Sequence, residues 1–386
     1  MNFSKAMKAA VIIFTGAIAA AGLTACGGIK TAADSPSKSG VKVGFIAALT
    51  GGAAAYGKSQ EEGIRMAVEE INQKGAIPIE LFVEDSKGSP SDAMNVTKRL
   101  IQKKAAVIIG PMTSNEAKAA GPIMQNAKIP SLEISVTAEG ITEIGDYIFR
   151  NSVPESMNIP QTAKKTHRLL GYETAAILYA HDNEQHVTAQ KYFRKTLEEE
   201  GVKIVDVETF GSKDSEYSAQ LTNIENAKPD VVIVCSYYQE GARILKKMRE
   251  MGMNQPVLGD NGFVSPELGK MADAAADNVY VSSMWSAARD TAATKTFVEN
   301  YTKKYGHAPD QFAAAAYDGV YMAMDAVQRA GSVTDTRKIR DAMAEMKGFN
   351  GVCGTFSFDA KRDPVVDLVL LKMEDGVFLA VGKQSS

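Results

Sequence analysis

The chain has 386 residues, 45% of them hydrophobic and 23% charged, with a net charge of -3 and a pI near 6.0. That balance excludes the strongly basic face on which a nucleic-acid or polyanion binder depends. Beyond Cys26 only Cys235 and Cys353 remain, one in an apolar strand and one between glycines, either as lone thiols or as one disulfide.

Residues 1–25 read as an export signal. Lys5 and Lys8 precede a largely apolar run over 9–22, too short and too weakly flanked to span a bilayer, which ends in Leu23-Thr24-Ala25-Cys26-Gly27. Small residues before a cysteine at the end of such a run resemble a bacterial lipobox, which implies cleavage before Cys26 and lipid on its sulfur. The mature protein would then sit outside the cytoplasm, anchored to the membrane. Residues 26–40 are polar and small, a flexible tether with a reach of about 20 Å. About 345 residues follow, more than the roughly 250–300 that one core usually serves, so two domains are expected. No later apolar run reaches spanning length.

Strand 41–49 opens the folded part, followed by a glycine- and alanine-rich loop over 50–57 and a helix over 60–74 with Ile64, Ala67, Val68 and Ile71 on one face. Strand 79–83, helix 90–103 and strand 106–109 keep the alternation. Gly110 and Pro111 stop that strand, and Thr113, Ser114 and Asn115 stand where helix 114–127 begins. Strand 129–134 ends in Ser135, Val136 and Thr137, and strand 147–153 closes a first set. A second set follows: helix 158–170, strand 175–180, helix 187–200, strand 203–210, helix 216–227, strand 231–236, helix 239–251, and strands 257–260 and 278–283. Helices 291–304, 310–330 and 335–347 precede β segments 354–358 and 365–373, which look like a return to the second sheet. The class is α/β, with two doubly wound parallel sheets.

In such sheets the carboxyl ends of the strands border the ligand crevice, and a helix start offers free N–H groups to an anion. Ser114 and Thr137 are therefore expected to hold a small carboxylate. Tyr56, Tyr237 and Tyr238 all fall at carboxyl ends of strands, as pocket walls do. Two decoys are set aside. Gly52-Ala53-Ala54-Ala55-Tyr56-Gly57-Lys58-Ser59 matches the P-loop pattern after a strand, but Tyr56 is bulky where a loop must wrap phosphate, and no convincing metal partner follows. His181 and His186 frame a polar loop with no thiolate and no helical i,i+4 pair, so no metal is expected. No catalytic signature occurs; neither enzyme activity nor a cofactor is expected.

In order along the chain, Gly44, Leu49-Thr50-Gly51, Gly57, Gly63, Ala67, Glu70-Ile71-Asn72, Gly75, Asp85, Ile109-Gly110-Pro111, Ile129-Pro130, Phe149-Arg150, Ser265-Pro266 and Ala316-Tyr317-Asp318-Gly319 resemble the solute-binding proteins of ABC importers in the branched-chain amino acid (Leu/Ile/Val-binding, type I periplasmic binding) family. The resemblance covers 41 to about 380. It implies two lobes, 41–155 plus 285–347 and 156–284 plus 348–380, joined by crossovers near 153–158, 284 and 348 and closing like a hinge around one solute. It also implies a monomer that captures a branched-chain or related amino acid and delivers it to a membrane ABC permease. A sensor of the same fold and a P-loop nucleotide binder are the alternatives. Residue by residue, Ser114 and Thr137 match carboxylate-binding positions, with Thr113, Ser135 and Val136 beside them. Tyr56 matches a pocket wall, and Tyr237 or Tyr238 the second-lobe aromatic. The chain departs from the family at Gln185 and His186, where a tyrosine is usual, and at Asn261, where an acid usually receives the ligand's ammonium. If Asp260 turns inward an α-amino acid fits; if Asn261 takes the place, a neutral or purely carboxylate ligand is favoured.

Overall fold

The computed structural model describes residues 40–75 and 77–382, so the export signal, Cys26 and all of the tether but Gly40 lie outside the described residues. Continuous apolar runs make strands buried on both faces, and amphipathic segments make the helices that cover them. The first lobe begins with β1 (Val41–Ala47), α1 (Ala54–Lys74), β2 (Ile79–Asp85), α2 (Pro90–Gln102), β3 (Val107–Ile109), α3 (Ser114–Ala127), β4 (Ser131–Glu133) and β5 (Ile148–Arg150). Its sheet runs β2-β1-β3-β4-β5, every pair parallel, with Val43 between Leu81 and Val107.

The second lobe contributes α4 (Glu155–Leu170), β6 (Thr174–Ala180), α5 (Glu184–Glu199), β7 (Lys203–Phe210), α6 (Ser218–Ala227), β8 (Val231–Cys235), α7 (Tyr238–Glu250), β9 (Val257–Gly259), α8 (Pro266–Ala272) and β10 (Val279–Ser283). The chain then returns through α9 (Ala292–Tyr305), α10 (Gln311–Ala330) and α11 (Thr336–Ala344). A small antiparallel sheet follows, β11 (Phe349–Gly351), β12 (Gly354–Phe358) and β13 (Pro364–Val365), and then the hairpin β14 (Val369–Glu374) and β15 (Val377–Ala380). The second sheet is ordered β15-β14-β10-β9-β8-β6-β7, with β14 antiparallel on the edge of five parallel strands. Cys235 and Cys353 are both free and buried, in separate apolar clusters.

Helix α10 lies along α1 because Gly63 has no side chain: a Cβ there would stand 2.2 Å from the Ala313 carbonyl oxygen. Backbone cannot yield as a side-chain tip does. Gly63→Ala is expected to cost about 1–3 kcal/mol through overpacking and to lower the thermal midpoint by several degrees. Circular-dichroism melting checks this, and an unmoved midpoint would mean that the helix pair slides freely.

Two expectations are corrected. α1 begins at Ala54, not near 60, so the second half of the P-loop match is helix. Gly57 is a packing residue there, its missing Cβ leaving room for the Ala48 carbonyl oxygen at 2.0 Å. Lys58 points to solvent, Ser59 Oγ donates to Asp310, and no loop remains to wrap a phosphate. Segment 354–358, expected to return to the second sheet, instead forms a separate three-stranded sheet with β11 and β13. Asp318 of α10 accepts from Val352 N and Cys353 N at 2.8 Å each, Arg150 of β5 pairs with Asp363 at 2.5 Å, and Arg362 Nε donates to Ile148 O at 3.0 Å. These bonds tie 349–365 to the first lobe.

Candidate functional site

The carboxyl ends of the two sheets face each other, and side chains already bridge them. Tyr56 Oη, on α1, donates to the Gly262 carbonyl and accepts from Tyr238 N at 2.9 Å. At the rim Asn115 donates to Asp182 O at 3.1 Å and accepts from Glu184 N at 2.9 Å, while Lys118 pairs with Glu184 at 2.6 Å. Glu139 receives both Lys191, at 2.6 Å, and the Tyr192 hydroxyl. Beneath these contacts run two narrow adjoining cavities that share Ser135, Asn261 and Phe312 as walls.

The first-lobe wall is the start of α3 and the loop after β4. Thr113 caps the helix: its Oγ1 accepts from Glu116 N at 3.3 Å while its backbone N donates to Glu116 Oε2 at 2.9 Å, closing a capping box, and its hydroxyl proton goes to the same Oε2 at 2.7 Å. Its hydroxyl is thereby used up, so Thr113 lines a cavity without offering a free donor. Ser114 is fully buried, and its Oγ accepts from Ala138 N at 3.2 Å, leaving its proton for a second partner. The leading N–H groups of a helix have no intrahelical acceptor either. Ser135 Oγ donates to Met112 O at 2.7 Å and accepts from Gln60 Nε2 at 2.8 Å. Val136 turns the other way, into the cluster of Ile46, Ile108 and Met124, and is not a cleft residue. Thr137 Oγ1 is bonded to Glu155 Oε1 at 3.0 Å.

Glu155, the first residue of α4, is the group the sequence reading missed. It is fully buried, and its Oε1 also accepts from Asn261 N at 3.3 Å, so one carboxylate touches both lobes. Asn158 Nδ2 holds Oε2 at 3.3 Å. Burial, reinforced by the charge of Asp260, pushes its pKa up to about 8. Its signal was present, an acid following Pro154 in a first helical turn, but the helix was read as starting at 158.

On the second-lobe wall the question of Asp260 against Asn261 is answered by geometry. Asp260 is buried, accepts from Gly262 N at 3.0 Å and pairs with His186 Nδ1 at 2.6 Å, so it faces its own turn and α5. Asn261 faces the cleft, with its Oδ1 accepting from Gln311 Nε2 at 2.7 Å. Gln185 and Tyr237 wall the first cavity beside Tyr56 and Phe312. Tyr238 stands behind Tyr56 with ring centroids 5.0 Å apart and lines neither cavity. His186 meets Tyr237 edge-to-face with ring centroids 4.7 Å apart, a structural post for Asp260 and the aromatic wall. Burial raises the pKa values of Tyr56 and Tyr237, so both stay neutral donors. A wider groove between α1, α9 and α10 lies away from the strand ends, and there Tyr317 and Tyr321 already share Glu70.

Residues 40–376 match the family model described as Periplasmic binding protein. The chain is similar to the leucine-, isoleucine-, valine-, threonine- and alanine-binding protein of Pseudomonas aeruginosa, 24% identical over 328 residues, 84% of this chain and 87% of that one. In structure it is similar to the branched-chain amino acid transporter substrate-binding protein LivJ of Streptococcus pneumoniae, solved with isoleucine, at TM-score 0.84 and 31% identity over 88% of this chain and 98% of that one. It is similar also to a solute-binding protein of an ABC transporter from Rhodopseudomonas palustris, solved with 3,4-dihydroxybenzoic acid, at TM-score 0.80 and 26% identity over 88% and 96%. With its two α/β lobes and a cleft lined by binding groups, the chain belongs to the periplasmic binding protein family, the solute-binding components of ABC transporters.

Proposed function

We propose that the protein captures a small α-amino acid by closing its lobes and passes it to an ABC permease. The observation that carries this is the pairing of an anion seat with a cation seat. Ser114 Oγ is bonded to Ala138 N, and Glu155 to the hydroxyl of Thr137, so a hydroxyl with a proton to give and a buried carboxylate are held by adjacent residues of one loop, just behind the walls of the two cavities. A zwitterion needs both. Asn261 alone would favour a carboxylate without an ammonium, such as the benzoate-type acid bound by the Rhodopseudomonas relative; Glu155 restores the missing anion from the hinge. The branched-chain amino acids of the Streptococcus and Pseudomonas relatives are the first ligands to try. The sequence before the folded part supports export and lipid attachment at Cys26, two acyl chains or more giving a stable anchor.

A thermal-shift screen of amino acids against organic acids tests the reading, since ligand at about 100 times its dissociation constant stabilises the loaded form by roughly 2.7 kcal/mol. Amino acids are expected to raise the midpoint and benzoate-type acids to leave it in place. Ser114→Ala is expected to weaken binding by about 1–3 kcal/mol, the worth of a bond to a charged group. Unchanged affinity in that variant would remove Ser114 from the carboxylate seat.

A further inference from the structure

The cavity on the hinge side of Ser135 is walled by Ser152, Asn158, Asn261 and Gln311, with Met284 and Phe312 closing it. Among the described residues no charged side chain lines this cavity or its neighbour; Glu155 meets the lining only through its bonds to Asn158 Nδ2 and Asn261 N. Most of its polar atoms are spoken for: Ser152 Oγ donates to Val136 O at 2.7 Å, Gln311 Nε2 to Asn261 Oδ1 at 2.7 Å, and Gln311 Oε1 accepts from Ser283 Oγ at 2.8 Å. Asn261 Nδ2 donates to no group among the described residues, and Asn158 is the fully buried exception. It is 2% exposed, and its Nδ2 is turned to Glu155 Oε2, which fixes the amide and leaves Oδ1 without a partner among the described residues. In the adjoining cavity Gln185, 4% exposed, likewise leaves its Nε2 without one. A buried acceptor and a buried donor without partners thus belong to side chains that line two adjoining cavities.

An aliphatic side chain entering this space would seal both atoms away unpaired, which is unfavourable for each. A side chain that hydrogen-bonds would satisfy them and would be selected over its apolar isostere for that reason. Resting on the α-amino acid reading above, we propose that the preferred ligand carries an uncharged hydrogen-bonding side group, a carboxamide or a hydroxyl, that donates to Asn158 Oδ1. The absence of a lining charge argues against a second ionised group on the ligand.

Isothermal titration of the purified full chain with asparagine, glutamine, serine and threonine, set beside leucine, isoleucine and valine, tests this. At least one of the first group is expected to bind tenfold or more tightly than any of the second. Asn158→Leu is expected to erase that preference while the circular-dichroism spectrum stays unchanged. Should that variant fail to fold, Gln185→Met serves, with glutamine and norleucine as the compared pair and a narrowed ratio expected. Tighter binding of leucine, isoleucine or valine overturns the polar-ligand inference and leaves the α-amino acid reading standing. Binding of organic acids with no amino acid bound overturns both.

Discussion

Glu155→Gln is expected to weaken capture of an α-amino acid on the order of 100-fold, and to abolish the pH dependence that the wild type shows. An ammonium brought into a closed cleft loses its water, and it is tolerated only against a charge or several good acceptors. Asp260 cannot serve, because both its oxygens are engaged by Gly262 N and His186. Glu155 is left, isosteric with glutamine but charged when the ammonium is present. Removing one partner of a buried charge pair costs about 3 kcal/mol or more, which is the expected 100-fold.

The pH dependence has a sign that separates ligand classes. In the ligand-free protein burial and the Asp260 charge raise Glu155 from an ordinary 4.5 to about 8. Between those values the folded protein holds a proton that the unfolded chain has lost, so its stability falls as pH rises through the window. An ammonium beside the carboxylate expels that proton. Affinity should therefore climb with pH by up to about tenfold per unit from roughly pH 5 and level off near 8. Calorimetry at pH 6.5 in buffers of different ionisation heat should report close to one proton released. A ligand with a carboxylate alone would meet a Glu155 that stays protonated, and its affinity would fall as pH rises. That opposite slope would sink the cation seat.

Why Glu155 escaped the sequence reading shows where such reading stops. Strands such as 231–235 were legible because a fully buried parallel strand is a continuous apolar run, and Ser114 because a helix start after a strand has a local signature. Glu155 meets the cleft only through Thr137 and Asn261, neither near it in the chain. Gly57 read as a loop residue because its packing partner, the Ala48 carbonyl, lies outside its own helix. Thr113 and Val136 were named by adjacency; a capping box claims one and the pleat of the loop points the other inward. The segment 349–365 joins the first lobe through Asp318 and Arg150, contacts that no periodicity encodes.

Tyr56→Phe is expected to raise the dissociation constant by about 30-fold while leaving the ligand-free melting temperature nearly in place. The ring would remain, packed 4.6 Å from Phe312 and 5.0 Å from Tyr238. Only the hydroxyl goes, and with it the acceptor for Tyr238 N and the donor to Gly262 O, both on the opposite lobe. With the lobes apart, water satisfies these groups and nothing is lost. Once they close, an N–H and a C=O are buried unpaired, at about 1–3 kcal/mol each. A penalty of about 2 kcal/mol confined to the closed state multiplies the apparent dissociation constant by roughly 30, because only the competent fraction of the population binds. The change belongs in the dissociation rate, which stopped-flow displacement reads directly, since the hydroxyl is engaged only after the ligand is enclosed. If the ligand-free protein melted lower by the same free energy, the bond would be holding the fold together rather than the closure. Tyr56 would then be a core tyrosine with no part in gripping the ligand.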